Sequence, residues 1–292
     1  YVSWLGDVYK RQEYDMGVRL ISAAVGIVIA VIILILHNTI LLKLAIAAVT
    51  LLMLFELFRA GRCLRLRLTC IPAFIYGAVS PFLAYGSASK YRFAVNLILI
   101  LCIFITYIAQ HKTLKYYRLL FILSCTILVS KAMSCLIILN GMDKTHGLMY
   151  LIMGLCGAWL ADSGAYFAGT FFGKHKLCPE VSPKKTVEGF IGGIVVTGLL
   201  FMLINFGYSK ILPLVTDSTV SVNYFEVCLL GMALAVVGTI GDLSASVLKR
   251  QCAIKDYGNI MPGHGGAMDR FDSVLFVAPC FYAFVSLISI YK

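Results

Sequence analysis

Long apolar stretches recur along the whole chain, and they constrain its fold more than any other feature. A helix needs about 20 mostly apolar residues to cross the hydrocarbon core of a bilayer. On that basis the sequence predicts spans at residues 19–36, 40–58, 68–84, 93–109, 118–139, 148–172, 187–206, 226–248 and 272–291. Of the 292 residues, 60% are hydrophobic and 13% are charged, whereas soluble domains have about 45–50% apolar and about 25% charged residues. We therefore expect an all-α, polytopic integral membrane protein with about nine transmembrane helices.

Positive charge lies mostly in alternate connections between these stretches. The chain has 25 Lys and Arg against 14 Asp and Glu, a formal net charge of +11. Of those 25 cations, 18 fall within residues 10–19, 59–67, 112–118, 174–185 and 249–270. Cytoplasmic loops collect Lys and Arg, so we expect these connections to face the cytoplasm. The membrane is expected to be a bacterial-type cell membrane. Short loops without an aromatic platform do not favour nucleic acid as a partner.

The distribution of polar residues predicts three regions. Residues 1–12 resemble translated adapter sequence, and no Met precedes Met16. We therefore expect residues 1–15 to be a non-native or disordered extension. Residues 16–147 form nearly pure aliphatic spans, which predict a lipid-facing scaffold and a dimer surface. Residues 148–292 gather acids, glycines and cations at the cytoplasmic ends of their spans. The catalytic region is therefore predicted in the C-terminal half.

Asp162 lies inside the sixth predicted span, where an ionisable side chain is costly and by default indicates a functional site. At helical spacing Tyr166 falls on the same face of that helix. A structural interpretation stays open, in which a hydroxyl group or a lysine of a neighbouring helix holds the aspartate.

A basic segment precedes the seventh predicted span. Its prolines, Pro179 and Pro183, predict an extended backbone. Lys184, Lys185 and Thr186 then fall at a helix N-terminus, where free N–H groups favour an anion. Phosphate binding and a simple topological signal are both compatible with this segment.

The densest polar cluster runs from residue 241 to residue 272. Asp242 and Lys249 lie on one stripe at the end of the eighth predicted span. A glycine-rich loop follows, whose N–H groups can form an anion-binding nest. Asp269 and Asp272 lie on the same side of the membrane at the start of the ninth span. Carboxylates that face each other across a basic loop suit magnesium bridging nucleotide phosphates.

This cluster resembles the signature of the phosphatidate cytidylyltransferase family, also called the CDP-diacylglycerol synthase family. The signature reads S-x-x-K-R, then K-D, then G-H-G-G-x-x-D-R-x-D, and the chain matches every position from Ser246 to Asp272. The D-x-x-A-Y-x-x-G and S-P-K-K-T-x-E-G stretches also resemble family motifs. The resemblance implies that CTP and phosphatidate give CDP-diacylglycerol and pyrophosphate. It also implies Mg²⁺, alone or with a second cation, and a homodimer in the bilayer.

Roles for the individual side chains combine the residue chemistry with this resemblance. We predict that carboxylates hold the metal, that cations and glycines hold the phosphates, and that the histidine contacts a phosphate or transfers a proton. The predicted catalytic residues are Asp242, Lys249, Arg250, His264, Asp269 and Arg270. The predicted substrate-binding residues are Asp162, Tyr166, Ser182, Lys184, Lys185, Thr186, Glu188, Ser246, Lys255, Gly263, Gly265, Gly266 and Asp272. The predicted metal ligands are Asp242, Asp256 and Asp269.

Two alternatives remain at this point. A transporter for an anionic solute would explain the basic loops and Asp162, but it predicts polar groups near the bilayer midplane. A related enzyme that acts on a different lipid, such as a CTP-dependent lipid kinase or an archaeal-lipid cytidylyltransferase, would share much of the chemistry.

Overall fold

The computed structural model describes residues 23–216, 219–258 and 265–291, and helices dominate it. The helices of the N-terminal region are α1 (Ala23–Ile35), α2 (Ile40–Ala60), α3 (Arg67–Leu83), α4 (Arg92–Ala109) and α5 (Tyr116–Met142), with a 3₁₀ turn at Ser87–Tyr91. The remaining elements are α6 (Gly147–Phe172), β1 (Lys176–Cys178), β2 (Ser182–Thr186), α7 (Val187–Val215), α8 (Tyr224–Gln251), α9 (Met268–Phe271) and α10 (Val274–Leu287).

Seven helices in the described part of the chain are long and apolar enough to cross a membrane. One of them joins the 3₁₀ turn to α4, and another joins α9 to α10. The described part of α1 and all of α3 are shorter apolar helices, and α3 contains Pro72 and Pro81 within its 17 residues. The prediction of an all-α, multi-pass membrane protein is confirmed, whereas the count of about nine spans is not exact.

The N- and C-terminal regions share one hydrophobic core. Leu54, Met133 and Leu136 are fully buried in the N-terminal helices, and Phe281 is fully buried in α10. Helix α10 packs against α5 as well as against α6 and α8. By contrast, α4 lies at the periphery of the bundle, with most of its apolar side chains exposed. Residues of both predicted regions therefore contribute to one core.

Helices α6 and α7 pack closely because glycines line their contact. A Cβ atom at Gly189 would lie 2.7 Å from the carbonyl oxygen of Ala165, and one at Gly193 would lie 3.0 Å from that of Ala161. Small residues at four-residue spacing let two helix backbones approach closely in membranes. This contact positions the start of α7 directly beside the part of α6 that carries Asp162.

A short antiparallel hairpin connects α6 to α7. Lys176 pairs with Thr186 and Cys178 with Ser182. The sequence predicted an extended segment here, and the structure shows that the segment also folds back on itself. Thr186 then caps α7, because its Oγ1 accepts a hydrogen bond from the N–H of Gly189 at 3.1 Å.

Candidate active site

Polar groups converge at the end of the bundle where α2 and α8 end and where α7 and α9 begin. The hairpin lies between α6 and α7 at this end, and the described residues 252–258 and 265–267 lie between α8 and α9. Two adjoining cavities open there.

The first, the hairpin cavity, has a volume of about 520 Å³ and lies between α6, α7 and the hairpin. Lys176, Lys184 and Lys185 provide positive charge in its wall. The predicted substrate-binding residues that line it are Asp162, Tyr166, Ser182, Lys184, Lys185 and Thr186. The structure therefore brings together two motifs that lie 20 residues apart in the sequence.

The second, the acidic cavity, has a volume of about 370 Å³. Three carboxylates, those of Asp162, Asp269 and Asp272, line it together with Trp159 and Arg270. Because Asp162 lines both cavities, the basic wall and the acidic wall meet at its side chain.

Two lysine–aspartate pairs connect the elements of the site. Lys185 Nζ lies 2.5 Å from Asp242 Oδ2, which joins the hairpin to α8. Lys249 Nζ lies 2.9 Å from Asp269 Oδ1, which joins α8 to α9. The side chains of the second pair are only 15% and 10% exposed. Each of the two principal predicted metal ligands thus already faces a cation within the site.

Backbone N–H groups fix the carboxylate of Asp269. Its Oδ2 accepts hydrogen bonds from the N–H of Tyr257 at 2.8 Å and from that of Gly266 at 3.2 Å. The preceding residue, Gly265, has φ of +85°, which side chains rarely adopt. Tyr257 itself is buried, and burial raises the pKa of its phenol, whose O–H donates to the carbonyl of Ala245. The loop therefore presents Asp269 in a defined orientation.

Glu56 of α2 is a component of this site that sequence reasoning missed. Its carboxyl group is fully buried, and it accepts hydrogen bonds from the N–H of Ala267 at 3.1 Å and from that of Met268 at 2.7 Å. One turn further on, Arg59 donates to the carbonyl of Tyr257 at 2.8 Å. The end of α2 therefore holds both sides of the loop that carries Asp269. An acidic residue inside an apolar span was the available signal.

Glu188 and Arg250 contact the hairpin rather than the cavities. The Glu188 carboxylate accepts hydrogen bonds from the N–H groups of Lys174 and His175, and it pairs with His175 Nδ1 at 2.6 Å. Arg250 Nε donates to the carbonyl of Val181 at 3.4 Å. Both contacts stabilise the hairpin, and the roles of these two residues in substrate binding and catalysis stay predictions.

Other predicted residues occupy varied positions. Asp272 is buried and its Oδ1 accepts from the N–H of Ser273, whereas the carbonyl of exposed Arg270 accepts from Trp159. Lys255 and Asp256 are exposed, and Ser246 is half-buried. Gly263 and His264 lie outside the described residues.

The acids of the site form a donor set that suits a hard cation. Asp162 and Asp272 line the same cavity, and Asp242 pairs with Lys185 in the wall of the adjoining one. Among the described residues no three metal-ligating side chains converge on one point, so Asp256 as a third ligand stays a prediction. Magnesium is commonly held by one or two carboxylates plus substrate phosphates, and the residues present fit that mode.

Comparison with known protein sequences identifies the family of this chain. Residues 17–288 match the sequence model of the cytidylyltransferase family. The chain belongs to this family. It is 37% identical to the phosphatidate cytidylyltransferase of Bacillus subtilis (strain 168) over 246 residues, which cover 81% of this chain and 85% of that protein. Proteins of the same name from Staphylococcus haemolyticus (strain JCSC1435) and Staphylococcus aureus (strain COL) are 42% and 44% identical over 138 residues, or 48% of each.

Membership in the cytidylyltransferase family confirms the resemblance inferred from the S-x-x-K-R to D-R-x-D signature. It also confirms the prediction of a nucleotidyltransferase. The two lysine–aspartate pairs and both cavities lie within the matched residues.

Proposed function

We propose that the protein is a phosphatidate cytidylyltransferase, which converts CTP and phosphatidate into CDP-diacylglycerol and pyrophosphate. The observation that carries the proposal is the junction of a lysine-rich cavity and a carboxylate-lined cavity at Asp162. This junction lies in a chain of the cytidylyltransferase family that resembles relatives named for this reaction.

The reaction joins two anions, so its barrier is largely electrostatic. An oxygen of the phosphatidate phosphate attacks the α-phosphorus of CTP, the bond between the α- and β-phosphates breaks, and pyrophosphate leaves with the electron pair. The nucleophile is already negatively charged and needs no strong base. Positioning and charge stabilisation are therefore the main contributions that a protein can make.

The lysine–aspartate pairs supply both kinds of charge. In the proposed complex Lys185 and Lys249 turn from Asp242 and Asp269 to phosphate oxygens. A doubly charged phosphate is a stronger partner for a lysine than a singly charged carboxylate is. The carboxylates of Asp242 and Asp269 would hold Mg²⁺, which would supply positive charge to neutralise the phosphates. The N–H groups that fix Asp269 keep this carboxylate in place during the exchange.

The lipid substrate can reach the hairpin cavity from the bilayer. Tyr166 lines that cavity and contacts Phe167, and both rings are exposed on α6. Phe171 and Phe172 extend the exposed aromatic surface by one turn. We propose that acyl chains lie along this surface while the phosphate enters between α6 and the hairpin.

The chain is a multi-pass membrane protein with bacterial relatives. Within that statement we propose the bacterial cytoplasmic membrane, with the site facing the cytoplasm, because most cations lie at the connections on that side. A homodimer and a magnesium requirement, both implied by the family resemblance, complete the proposal.

Purified protein incubated with labelled nucleotides and a panel of lipids tests the proposed reaction. CTP with phosphatidate should yield a liponucleotide and one pyrophosphate for each product. A phosphorylated lipid instead would indicate a lipid kinase, and solute uptake without pyrophosphate release would indicate a transporter.

Asp242→Asn and Asp269→Asn test the metal assignment across a magnesium titration. We expect each to lower turnover by about a hundredfold or more, the scale of losing one preorganised electrostatic group. Asp143→Asn is the matched control, because Asp143 lies in the connection between α5 and α6, where its carboxylate accepts hydrogen bonds from the N–H groups of Thr145 and His146. Near-native turnover in both site variants would remove them as metal ligands.

A further inference from the structure

A third cavity, of about 200 Å³, lies between α3, α4 and α5. We call it the Arg92–Lys131 cavity, and the polar residues in its wall are Tyr76, Ser80, Arg92, Asn96, Lys131 and Ser134. Helix α3 begins beside the end of α2, and Arg92 binds carbonyl groups just beyond the opposite end of α3. A 17-residue helix is about 25 Å long, so this cavity lies at the other end of the bundle from the acidic cavity.

Two cations line the cavity and only neutral groups bind them. Arg92 Nη2 donates to the carbonyl of Ala84 at 2.6 Å, and Lys131 Nζ donates to Asn96 Oδ1 at 3.0 Å. Tyr76 donates to the same Asn96 oxygen at 2.7 Å. Neither cation forms an ion pair within residues 23–216, 219–258 and 265–291, and no carboxylate lines the cavity. A cation inside a membrane span is costly unless it is paired.

The two charges also act on each other, and a hydroxyl group beside them is unused. Arg92 and Lys131 carry like charges in the wall of one cavity, so each raises the cost of burying the other. Ser134 is 5% exposed, and its Oγ has no hydrogen-bond partner in the described structure. Buried polar groups almost always have partners. Two cations with a spare hydroxyl form a donor set typical of phosphate sites.

The surroundings of the cavity favour a phosphate that carries acyl chains. Phe93 and Leu97, which directly follow Arg92 and Asn96 in α4, are 79% and 47% exposed on the apolar periphery of the bundle. At ~30 Å³ for each water in liquid, the cavity has room for a phosphate group but not for a nucleotide. A lipid headgroup can therefore enter while its chains stay against α4.

We propose that the Arg92–Lys131 cavity binds the phosphate of an anionic phospholipid, at a site separate from catalysis. The bound phosphate compensates the charge of the two cations and fills the space between α3, α4 and α5. The bound lipid stabilises the folded protein, because a ligand that binds only the native state raises its stability.

The experiment compares three probes with protein purified in detergent. They are phosphatidylglycerol, which lacks the phosphate monoester of the proposed substrate, zwitterionic phosphatidylcholine and inorganic phosphate. We expect native mass spectrometry to show retained phosphatidylglycerol and thermal unfolding to move to higher temperature with that lipid alone. Lys131→Met and Arg92→Gln should weaken its retention at least tenfold, whereas Lys90→Gln, in the neighbouring turn, should not.

Several outcomes would overturn the proposal. If phosphatidylcholine were retained as well as phosphatidylglycerol, the cavity would not select for a net negative charge. If inorganic phosphate stabilised the protein equally, the cavity would be a site for free anions instead. If Lys131→Met retained phosphatidylglycerol as well as the unsubstituted protein does, this cavity would be excluded as the binding site. If Lys131→Met does not fold, Lys131→Arg keeps the charge and must keep the lipid, and the comparison of probes on unsubstituted protein decides independently.

Discussion

Glu56 and Asp269 both accept hydrogen bonds from the backbone of the same loop. Asp269 accepts the N–H groups of Tyr257 and Gly266, and Glu56 accepts those of Ala267 and Met268. A Cβ atom at Gly266 would lie 2.5 Å from Glu56 Oε1, so the loop needs glycine there to approach α2. Within the described residues the Glu56 carboxylate is hydrogen-bonded to this loop. We therefore assign it as a positioning residue for Asp269.

Substituting Glu56 tests this role. In Glu56→Gln the amide nitrogen faces a backbone N–H and leaves a buried donor unsatisfied, which costs about 1–3 kcal/mol of folding stability. We expect the loop to shift, so that more magnesium is needed for half-maximal activity and turnover falls. The measurement is the magnesium activation curve together with the thermal unfolding midpoint.

Thr50→Val is the control for that curve. Thr50 is fully buried on the same helix, but its hydroxyl donates only to the carbonyl of Ile46. A Glu56→Gln protein whose magnesium curve matches that of Thr50→Val would show that Glu56 affects stability alone.

The site residues differ in how far they could be predicted from sequence. Asp242, Lys249 and Asp269 lie within 28 residues of one another, and helical spacing with a local motif was enough to group them. The bond from Ala267 to Glu56 spans 211 positions. No periodicity relates such distant residues, because the contact depends on how α2 packs against α9.

Among the elements, α6 and α7 determine the shape of the hairpin cavity. Their glycine contact leaves no room for side chains at Gly189 or Gly193. Any separation of these helices would move Lys184 and Lys185 away from Asp162. The same charged residues would then be present but too far apart to form one site. The geometry of the site thus depends on a packing distance as well as on the charged residues.

Gly193→Val should therefore impair both stability and activity. Its side chain would meet the carbonyl of Ala161 and the side chain of Ala165, and overpacking of this kind costs typically about 1–3 kcal/mol. We expect a lower unfolding midpoint and a higher KM for CTP. Gly207→Val is the control, because it lies on the same helix and nothing is within 4 Å of its added Cβ. Equal KM values in the two variants would contradict the argument.

Element boundaries could be predicted better than element contacts. The start of the seventh span at residue 187 agrees with α7, because Pro183 and the cap at Thr186 mark it in the sequence. The pairing of β1 with β2 was missed, since a three-residue strand carries too little alternation to reveal a partner. The ninth span begins four residues earlier than predicted, at Met268, because α9 precedes α10 with polar residues still in the helix.

At the scale of the whole molecule, the charge pattern predicts how the bundle is oriented across the membrane, and the helix lengths are compatible with that orientation. Helix α5 is 27 residues long, or about 40 Å. The connections at its two ends therefore lie at opposite ends of the bundle. The connection before it has Lys112 and Lys115, and the connection after it has Lys144 beside Asp143. The predicted catalytic groups lie at the end of the bundle that includes Lys112, and the proposed orientation puts this end in the cytoplasm, where CTP is available.

Cysteine labelling in intact bacterial cells tests this orientation without depending on the total number of spans. Lys112 and Lys144 are both exposed, and they flank a single helix, so Lys112→Cys and Lys144→Cys report on its two ends. We expect a membrane-impermeant maleimide to label Lys144→Cys in intact cells, and to label Lys112→Cys only after the membrane is permeabilised. The unsubstituted chain, with its own ten cysteines, gives the background for both.

The reverse pattern would place the catalytic end outside the cell, away from CTP. Labelling of both sites in intact cells would mean that α5 does not cross the membrane.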